Sequence, residues 1–207
     1  MKIYWHGHAC FLIETTKKIL TDPFDPQLGY PKLKATADLV TISHQHFDHN
    51  HTEALPGKPQ VIQNTGEHSF NGLKITGFPS FHDKAKGTQR GENIIFLMEA
   101  ENLRICHLGD LGHIPDQALV KGIGRVDVLL IPVGGFFTID ATEAKKVVSQ
   151  INPSYVIPMH YKTNYINLPI ASVDEFLKFY PYVKQSQLEV YAGKMPEKMQ
   201  IILLELI

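Results

Sequence analysis

Four side chains of the types that bind metals lie within six residues of one another. They are His44, His46, Asp48 and His49. Imidazole and carboxylate groups suit zinc, and also manganese, iron and nickel. A polar loop that is rich in histidine by chance is the alternative, but this order of residues directly after an apolar segment is typical of a built site. The stretch therefore predicts a metal centre.

The segment before this stretch suggests how it could hold two metal ions. Residues 38–42 are mostly apolar and β-branched, and such a short run predicts a buried strand. Side chains two apart in extended backbone point the same way, so His44 and His46 can bind one ion. Where the chain leaves the strand, Asp48 and His49 can turn towards a second ion.

Three further candidate ligands each follow a predicted strand. His82, Asp110 and His160 come after the segments 73–78, 103–108 and 153–157. Ligand sites in α/β sheets gather at the carboxyl ends of strands, whereas a chance scatter of histidines would not follow strand ends. We therefore expect these side chains to join the first four in one site.

These residues also carry a resemblance to a known family. The stretch 44–49 resembles the signature of the metallo-β-lactamase superfamily. The segments 7–14, 107–110, 132–135 and 158–161 resemble phrases of its small metal-dependent hydrolases, a branch that includes ascorbate-6-phosphate lactonase-like proteins. Together they span almost the whole chain, so the resemblance covers a single domain of residues 1–207.

The order of predicted elements favours a layered α/β architecture, because strands form two groups and helices are interleaved in the second half. The resemblance implies a more specific fold, an αββα sandwich. In this fold two mixed sheets pack face to face and the helices lie outside them.

The resemblance also implies a ligand set and a reaction. His44, His46 and His82 would hold one metal, and Asp48, His49 and His160 would hold the other. Asp110 would bridge the two. The expected cofactor is a pair of divalent ions, most naturally zinc, with manganese, nickel or iron as alternatives.

Two such ions about 3.5–4 Å apart convert water to hydroxide near neutral pH, and this hydroxide attacks a carbonyl or phosphorus centre. Asp48 is the candidate catalytic residue, because it could bind metal and also orient the water or accept its proton. A ligand with no proton role is the alternative for Asp48.

Other histidines leave alternatives open. His107 competes with His82 as the third histidine of the first metal, but His107 lies inside a predicted strand, so we prefer His82. His107 is then a core residue or an outer partner of a ligand. His8 lies in a segment of the family phrase near the metals, and His113 follows Asp110. Each of these two either serves the site or is an ordinary structural or solvated histidine.

Backbone features add two expectations about the pocket. Gly134 and Gly135 follow a buried strand and permit close approach of backbone to the site, or simply form a tight turn. The loop 22–37 is rich in Pro, Gly and Asp, and a loop of this length beside such a strand could roof the pocket. Its candidate wall residues are Phe24, Tyr30 and Leu33.

Local patterns predict the remaining elements. Strands are expected at 3–5, 9–14, 18–21, 61–62, 93–99, 127–133, 188–191 and 199–206, with His68 on an exposed strand. Helices are expected at 115–122, from Asp140 and at 172–180, with a helical turn at 51–55. Asp140 with Glu143, and Ser172 with Glu175, have the spacing of capping boxes.

Composition limits the partners. The 207 residues carry a net charge of −1, which argues against a nucleic-acid partner. Cys10 and Cys106 lie in apolar runs and predict buried thiols rather than a disulfide. No apolar run reaches eighteen residues and the chain start lacks a signal-like region, so we expect a cytoplasmic protein without membrane contact. The expected partner is a small-molecule substrate, and self-association stays open.

Three classes of function fit these observations. The leading hypothesis is a hydrolase that acts on a small ester, lactone, amide or phosphodiester. A non-heme iron oxidoreductase on the same fold is the second. The third is a protein that binds metal without catalysis, although structural metal sites close their coordination shell and seven ligands around two ions would leave positions open.

Overall fold

The computed structural model describes residues 1–53 and 55–207. Within these residues the strands are β1 (Lys2–Gly7), β2 (Cys10–Glu14), β3 (Lys18–Thr21), β4 (Leu39–Thr41), β5 (Gln60–Ile62), β6 (Gly66–Phe70), β7 (Leu73–Phe81), β8 (Glu92–Ala100), β9 (Leu103–His107), β10 (Val128–Pro132), β11 (Tyr155–Met159), β12 (Tyr182–Gln185), β13 (Leu188–Glu189) and β14 (Gln200–Leu204). The helices are α1 (Gln117–Ile123), α2 (Ala141–Ile151) and α3 (Asp174–Leu177), and a 3-10 turn covers Pro26–Leu28.

The strands form two mixed sheets. One has six strands in the order β13-β1-β2-β3-β4-β5, and the other has eight in the order β12-β14-β11-β10-β9-β8-β7-β6. Strands β3, β4 and β5 run parallel, as do β9, β10, β11 and β14. The predicted sandwich of two mixed sheets is confirmed.

Alternation along the strands separates two hydrophobic cores, because successive side chains point to opposite faces of a sheet. In β2, Phe11 and Ile13 enter the main core between the sheets, whereas Cys10 belongs to a second core. That second core lies under the loop 22–37, whose Phe24 packs there. Helix α2 contacts β10 on the eight-stranded sheet. The face of the six-stranded sheet that points away from the main core is instead covered by the loop 22–37 and by the segment 166–170.

The helix that follows Asp140 begins as predicted. The Asp140 side chain accepts a hydrogen bond from the backbone N–H of Glu143 at 2.8 Å, and the Glu143 carboxylate accepts one from the Asp140 N–H at 3.2 Å. This reciprocal capping box satisfies amide groups that have no partner inside the helix. Helix α2 then buries one apolar face, formed by Ala144, Val147, Val148 and Ile151.

The predicted capped helix at 172–180 is wrong in length and in capping. Helix α3 covers Asp174–Leu177 and starts without a side-chain cap. The Ser172 hydroxyl instead donates to the Asp174 carboxylate at 2.9 Å. Pro181 disfavours helical backbone at the residue before it, which limits how far the helix can extend. Strand β12 follows directly and was not predicted.

Two further outcomes concern single segments. His68 lies on the edge strand β6, as predicted. The helical turn predicted at 51–55 includes Ala54, which lies outside the described residues. No helix in residues 1–53 and 55–207 is long and apolar enough to cross a membrane.

Candidate metal centre

The candidate ligands meet where strands of both sheets end. His82 directly follows β7 and His160 directly follows β11, while Asp110 lies three residues beyond the end of β9. The stretch 44–49 follows β4 in the other sheet. The structure therefore brings together the strand ends on which the prediction rested. Most of the polar side chains are buried there, whereas His46 is exposed and Asp48 is half-buried.

Asp110 lies at the centre of this cluster. Its Oδ2 atom is 3.1 Å from His160 Nε2, 3.3 Å from His82 Nε2 and 4.0 Å from His44 Nε2. Its Oδ1 atom is 3.3 Å from His49 Nε2. One carboxylate thus faces histidines from both proposed ligand sets, which is the position that a bridging ligand needs.

The donor atoms fall into overlapping groups in which every atom lies within 4.8 Å of the others. The groups are His44, His46 and His82; His8, Asp48, His49 and His160; and His44, His49 and Asp110. The first two groups contain the two ligand sets that the resemblance implies, and His8 is an addition.

Three buried atoms at the centre of the cluster have no hydrogen-bond partner among the described residues: His44 Nε2, His49 Nε2 and Asp110 Oδ1. Leaving buried polar atoms unpaired is costly, and lone pairs that converge in one place are satisfied by a cation. The donor set therefore fits divalent metal ions such as zinc.

Asp22 was not singled out from the sequence, yet it orients two of the ligands. Its Oδ2 accepts hydrogen bonds from His49 Nδ1 at 3.0 Å and from Ser43 Oγ at 2.6 Å. Ser43 Oγ lies 2.9 Å from His44 Nδ1 and can accept its proton. Both histidines then present a free Nε2 lone pair to the cluster, as outer partners of metal ligands commonly ensure. Asp22 directly follows β3, so the rule of strand ends would have found it.

The protonation states suit metal binding. Burial and the neighbouring His49 lower the pKa of His44 to about 3, so it is neutral at pH 7. Burial opposes ionisation of Asp110, but the nearby His160 and His49 hold the pKa of its carboxyl well below the usual range. Neutral imidazole and ionised carboxylate are the forms that bind metals.

The pKa of His49 is shifted in the opposite direction to that of His44. Burial lowers its pKa, but Asp110 and the hydrogen bond to Asp22 outweigh burial and raise the pKa well above the usual value. The carboxylates of Asp110 and Asp22 thus favour positive charge at this position. Because a metal ligand must be neutral, a bound metal ion would take the place of the proton on His49 Nε2.

Asp48 is more accessible than the other charged members of the cluster, with 15% of its side chain exposed. His8 Nε2 lies 3.1 Å from Asp48 Oδ2, and the His8 ring packs on His160 with centroids 4.1 Å apart. Burial raises the pKa of Asp48, but the hydrogen bond from His8 and the nearby His49 outweigh burial and hold this pKa far below its usual value. His8 is therefore placed at the site, where its left-handed backbone (φ 52°) in the turn between β1 and β2 directs it.

His107 and His113 lie outside the groups of donor atoms. His107 Nε2 is 2.9 Å from the carbonyl oxygen of Ala9, and its Nδ1 accepts from the N–H of Gly109 at 3.2 Å. Both of its ring nitrogens are thus engaged with backbone, whereas His82 reaches Asp110. His113 Nε2 accepts from the N–H of Phe81 at 3.3 Å and packs beside that ring.

The two glycines act through backbone. A Cβ atom on Gly134 would lie 2.3 Å from the carbonyl oxygen of His160, so the strand end approaches His160 more closely than any side chain would permit. Gly135 turns the chain with a positive φ of 66°. Gly134 therefore supports the position of a candidate ligand and does not itself line the pocket.

A cavity of about 340 Å³ opens over the cluster. Its polar lining includes His46, Asp48, His82, Asp110 and His160. Phe47, Phe137 and Leu168 supply an apolar wall, and Arg90 lies beside them. The expectation that Phe24, Tyr30 and Leu33 would form this wall is wrong, because these three side chains fill the second core under the six-stranded sheet.

Comparisons with known proteins agree with this architecture. The sequence model of the β-lactamase superfamily domain matches residues 2–160. The chain is similar to UPF0173 metal-dependent hydrolases of Thermococcus kodakarensis (31% identity, 79% of this chain and 85% of the relative) and Pelotomaculum thermopropionicum (34% identity, with the same coverage).

A solved structure shares both the fold and much of the sequence. It is a Thermotoga maritima protein assigned to the zinc-dependent hydrolases of the metallo-β-lactamase superfamily. The two chains are 42% identical and superpose with a TM-score of 0.85, over 100% of this chain and 99% of the other. With the family model matching most of its length, this chain belongs to the metallo-β-lactamase superfamily.

Proposed function

We propose that the protein is a hydrolase that uses two divalent metal ions, most naturally zinc, to cleave a small ester, lactone, amide or phosphodiester. The observation that carries this proposal is the pair of donor groups that meet at Asp110 beneath an accessible cavity. The names of the UPF0173 relatives, metal-dependent hydrolases, support the reaction class. A structural metal site would have a closed shell and no cavity over it.

The residues of each donor group would hold one ion. His44, His46 and His82 form one group, and Asp48, His49 and His160 form the other, with Asp110 between them. Two bound ions would lower the pKa of a water and stabilise the negative charge that develops on the substrate. The protein supplies orientation of the ligands through Asp22 and a partly apolar cavity for the substrate.

Asp48 has a role of its own in this proposal. Its carboxylate lies in the cavity lining and is ionised, so it can accept a hydrogen bond from the attacking water and orient it. A carboxylate with so low a pKa is a weak base, which favours orientation of the water over storage of its proton. His8 fixes the Asp48 carboxylate from the other side.

The test is a metal analysis combined with an activity screen. The purified protein, loaded separately with zinc, manganese, nickel and iron, is assayed for bound metal and for hydrolysis of lactones, phosphodiesters and thioesters. We expect about two ions per chain and hydrolysis of at least one substrate class. Oxygen uptake by the iron form without hydrolysis by any form would replace the proposal with the non-heme iron oxidoreductase.

The Asp48→Asn variant tests the role of the carboxylate. It keeps the shape and an oxygen ligand but loses charge, so we expect kcat to fall by about 100-fold or more, with a smaller change in affinity for the first metal. Stopped-flow or steady-state kinetics on the fully metallated variant measure this. A wild-type rate in that preparation would remove Asp48 from the proposed role. Asp25→Asn is the control, because Asp25 is a half-buried carboxylate on the loop 22–37 outside the donor groups, and asparagine can keep its cap on the 3-10 turn.

Net charge and the cavity support a proposal about the cellular location and the partners of the protein. A chain of net charge −1 that carries a small-molecule cavity is proposed to act in the cytoplasm, without nucleic-acid or membrane partners. Cell fractionation tests the location, and light scattering after gel filtration tests whether the chain associates with itself. Recovery of the native protein with membranes would contradict this setting.

A further inference from the structure

Arg90 differs from the other arginines in its partners. The chain has arginines at positions 90, 104 and 125. Arg104 pairs with Glu99 at 3.3 Å and Arg125 pairs with Asp127 at 3.2 Å. Among the residues that the structure describes, the guanidinium of Arg90 has neither an ion pair nor a hydrogen-bond acceptor. An arginine that is half-buried and unpaired retains its capacity to bind an anion.

The loop that carries Arg90 is fixed before any ligand arrives. Asp83, directly after the candidate ligand His82, accepts four backbone hydrogen bonds of 2.7–3.0 Å from the loop. The donors are the N–H groups of Ala85, Gly87, Gln89 and Arg90 itself. Lys84 pairs with Glu143 at 2.6 Å and ties the loop to helix α2. Such preorganisation reduces the entropy lost on binding.

The side chain of Arg90 also has a defined place. Its guanidinium carbon lies 5.5 Å from the centre of the Phe137 ring, a cation–π arrangement that holds the group at the cavity. The same cavity is lined by Asp110 and His160 at the metal cluster and by Phe47 and Leu168 on the apolar side. A substrate whose anionic group binds Arg90 would thus place its apolar part against Phe47 and Leu168, and its cleaved bond at the metal cluster.

We propose that Arg90 is a specificity-determining residue that binds an oxyanion group of the substrate. The substrate class is then a small ester or lactone that carries a carboxylate, sulfonate or phosphate away from the cleaved bond, linked through an apolar segment. The planar guanidinium matches the geometry of such groups with two parallel hydrogen bonds. This inference rests on the proposed hydrolase function, because it assigns the substrate of the same site.

The exposed aromatic side chains support the apolar part of this class. Phe47 is 57% exposed and Phe136, next to Phe137, is 63% exposed. Phe136 holds a left-handed backbone conformation (φ 61°), which is costly for an aromatic residue and places its ring at the surface beside Phe137. Apolar rings around a few convergent polar groups are typical of a site for a small organic molecule.

A kinetic experiment compares matched substrates. Mono-p-nitrophenyl glutarate carries a free carboxylate, and p-nitrophenyl butyrate is its neutral counterpart. For Arg90→Gln we expect kcat/KM for the anionic ester to fall by about 10- to 100-fold, mainly through KM, and kcat/KM for the neutral ester to stay within about twofold. Equal losses for both esters would overturn the inference, because they would assign Arg90 to the reacting centre and not to a substrate anion.

A binding experiment separates this inference from hydrolysis. The probes are 3-phenylpropanesulfonate, a permanent anion and a weak metal ligand, and the neutral alcohol 3-phenylpropanol. Calorimetry on the zinc-loaded wild type should show tighter binding of the sulfonate, and Arg90→Gln should remove that preference. Lys86→Gln, which removes a cation from the same loop, should retain it. If the sulfonate preference depends on Arg90 and no ester, lactone, amide or phosphodiester is cleaved, the anion site stands and the hydrolase proposal fails.

The remaining outcomes are also decisive. A sulfonate preference that survives Arg90→Gln, or an equal loss in Lys86→Gln, would overturn the inference in favour of general attraction by the metal charge. Metal content and the thermal unfolding midpoint are measured on each variant. Arg90→Lys, which keeps the charge but not the planar pair of donors, should retain part of the preference and confirms that a folded site is being compared.

Discussion

Replacing Asp110 with Ala is expected to lower the bound metal below two ions per chain and to reduce kcat/KM by about 1000-fold or more. Asp110 lies within 4.0 Å of four histidine nitrogens that belong to both donor groups. Removing it leaves those histidines without their shared negative charge, and two adjacent cations lose the carboxylate that offsets their repulsion. Elemental analysis and turnover of the same preparation measure the two effects.

The control for Asp110 is a second buried carboxylate with a structural role. Asp127 accepts from the backbone N–H of Arg104 at 2.7 Å and lies away from the cluster. Asp127→Asn should lower the unfolding midpoint and leave metal content unchanged. Retention of both ions by the Asp110→Ala variant would show that Asp110 does not bridge them.

His82→Ala is expected to lose metal, whereas His107→Ala is expected to lose stability and keep its metal. His82 Nε2 faces Asp110, so His82→Ala should lose one metal and nearly all turnover. His107 bonds only to backbone groups of Ala9 and Gly109. The carbonyl oxygen of Ala9 keeps its hydrogen bond from Thr21, but His107→Ala leaves the buried N–H of Gly109 unpaired. This costs about 1–3 kcal/mol of unfolding free energy, and the variant should keep both ions.

Metal content, turnover and chemical denaturation of the two variants measure this division. Each histidine is fully or almost fully buried, so loss of side-chain volume is similar and the variants act as controls for each other. The reverse pattern, with metal lost from His107→Ala and retained by His82→Ala, would exchange the two assignments.

The sequence was informative wherever a local pattern and a strand end coincided. Residues 44–49, His82, Asp110 and His160 each follow an apolar segment that forms a strand, and the sheet then brings those ends together. The capping box at Asp140 is equally local and also formed. These predictions needed only the periodicity of the chain and the rule that strand ends converge.

Features that depend on distant contacts were not predicted from the sequence. Asp22 follows β3 and so fits the rule of strand ends, but its role depends on Ser43 and His49, which the parallel pairing of β3 and β4 brings to it. The cavity wall at Phe47 and Phe137 joins segments about 90 residues apart in sequence. The position of Arg90 depends on Asp83, which fixes its loop through four hydrogen bonds, and no sequence pattern predicted these bonds.

The position of the metal cluster between the two sheets has a consequence for the lifetime of the protein. His44, His46 and His49 come from the six-stranded sheet, whereas His82, Asp110 and His160 come from the eight-stranded sheet. Any ion bound there resists separation of the sheets, and a ligand present at 100 times its dissociation constant adds about 2.7 kcal/mol to the free energy of unfolding. Unfolding curves recorded at several free zinc concentrations measure this linkage. In a cell short of metal, a larger fraction of the protein would be unfolded and open to proteases, so its abundance would follow the supply of the ion that it binds.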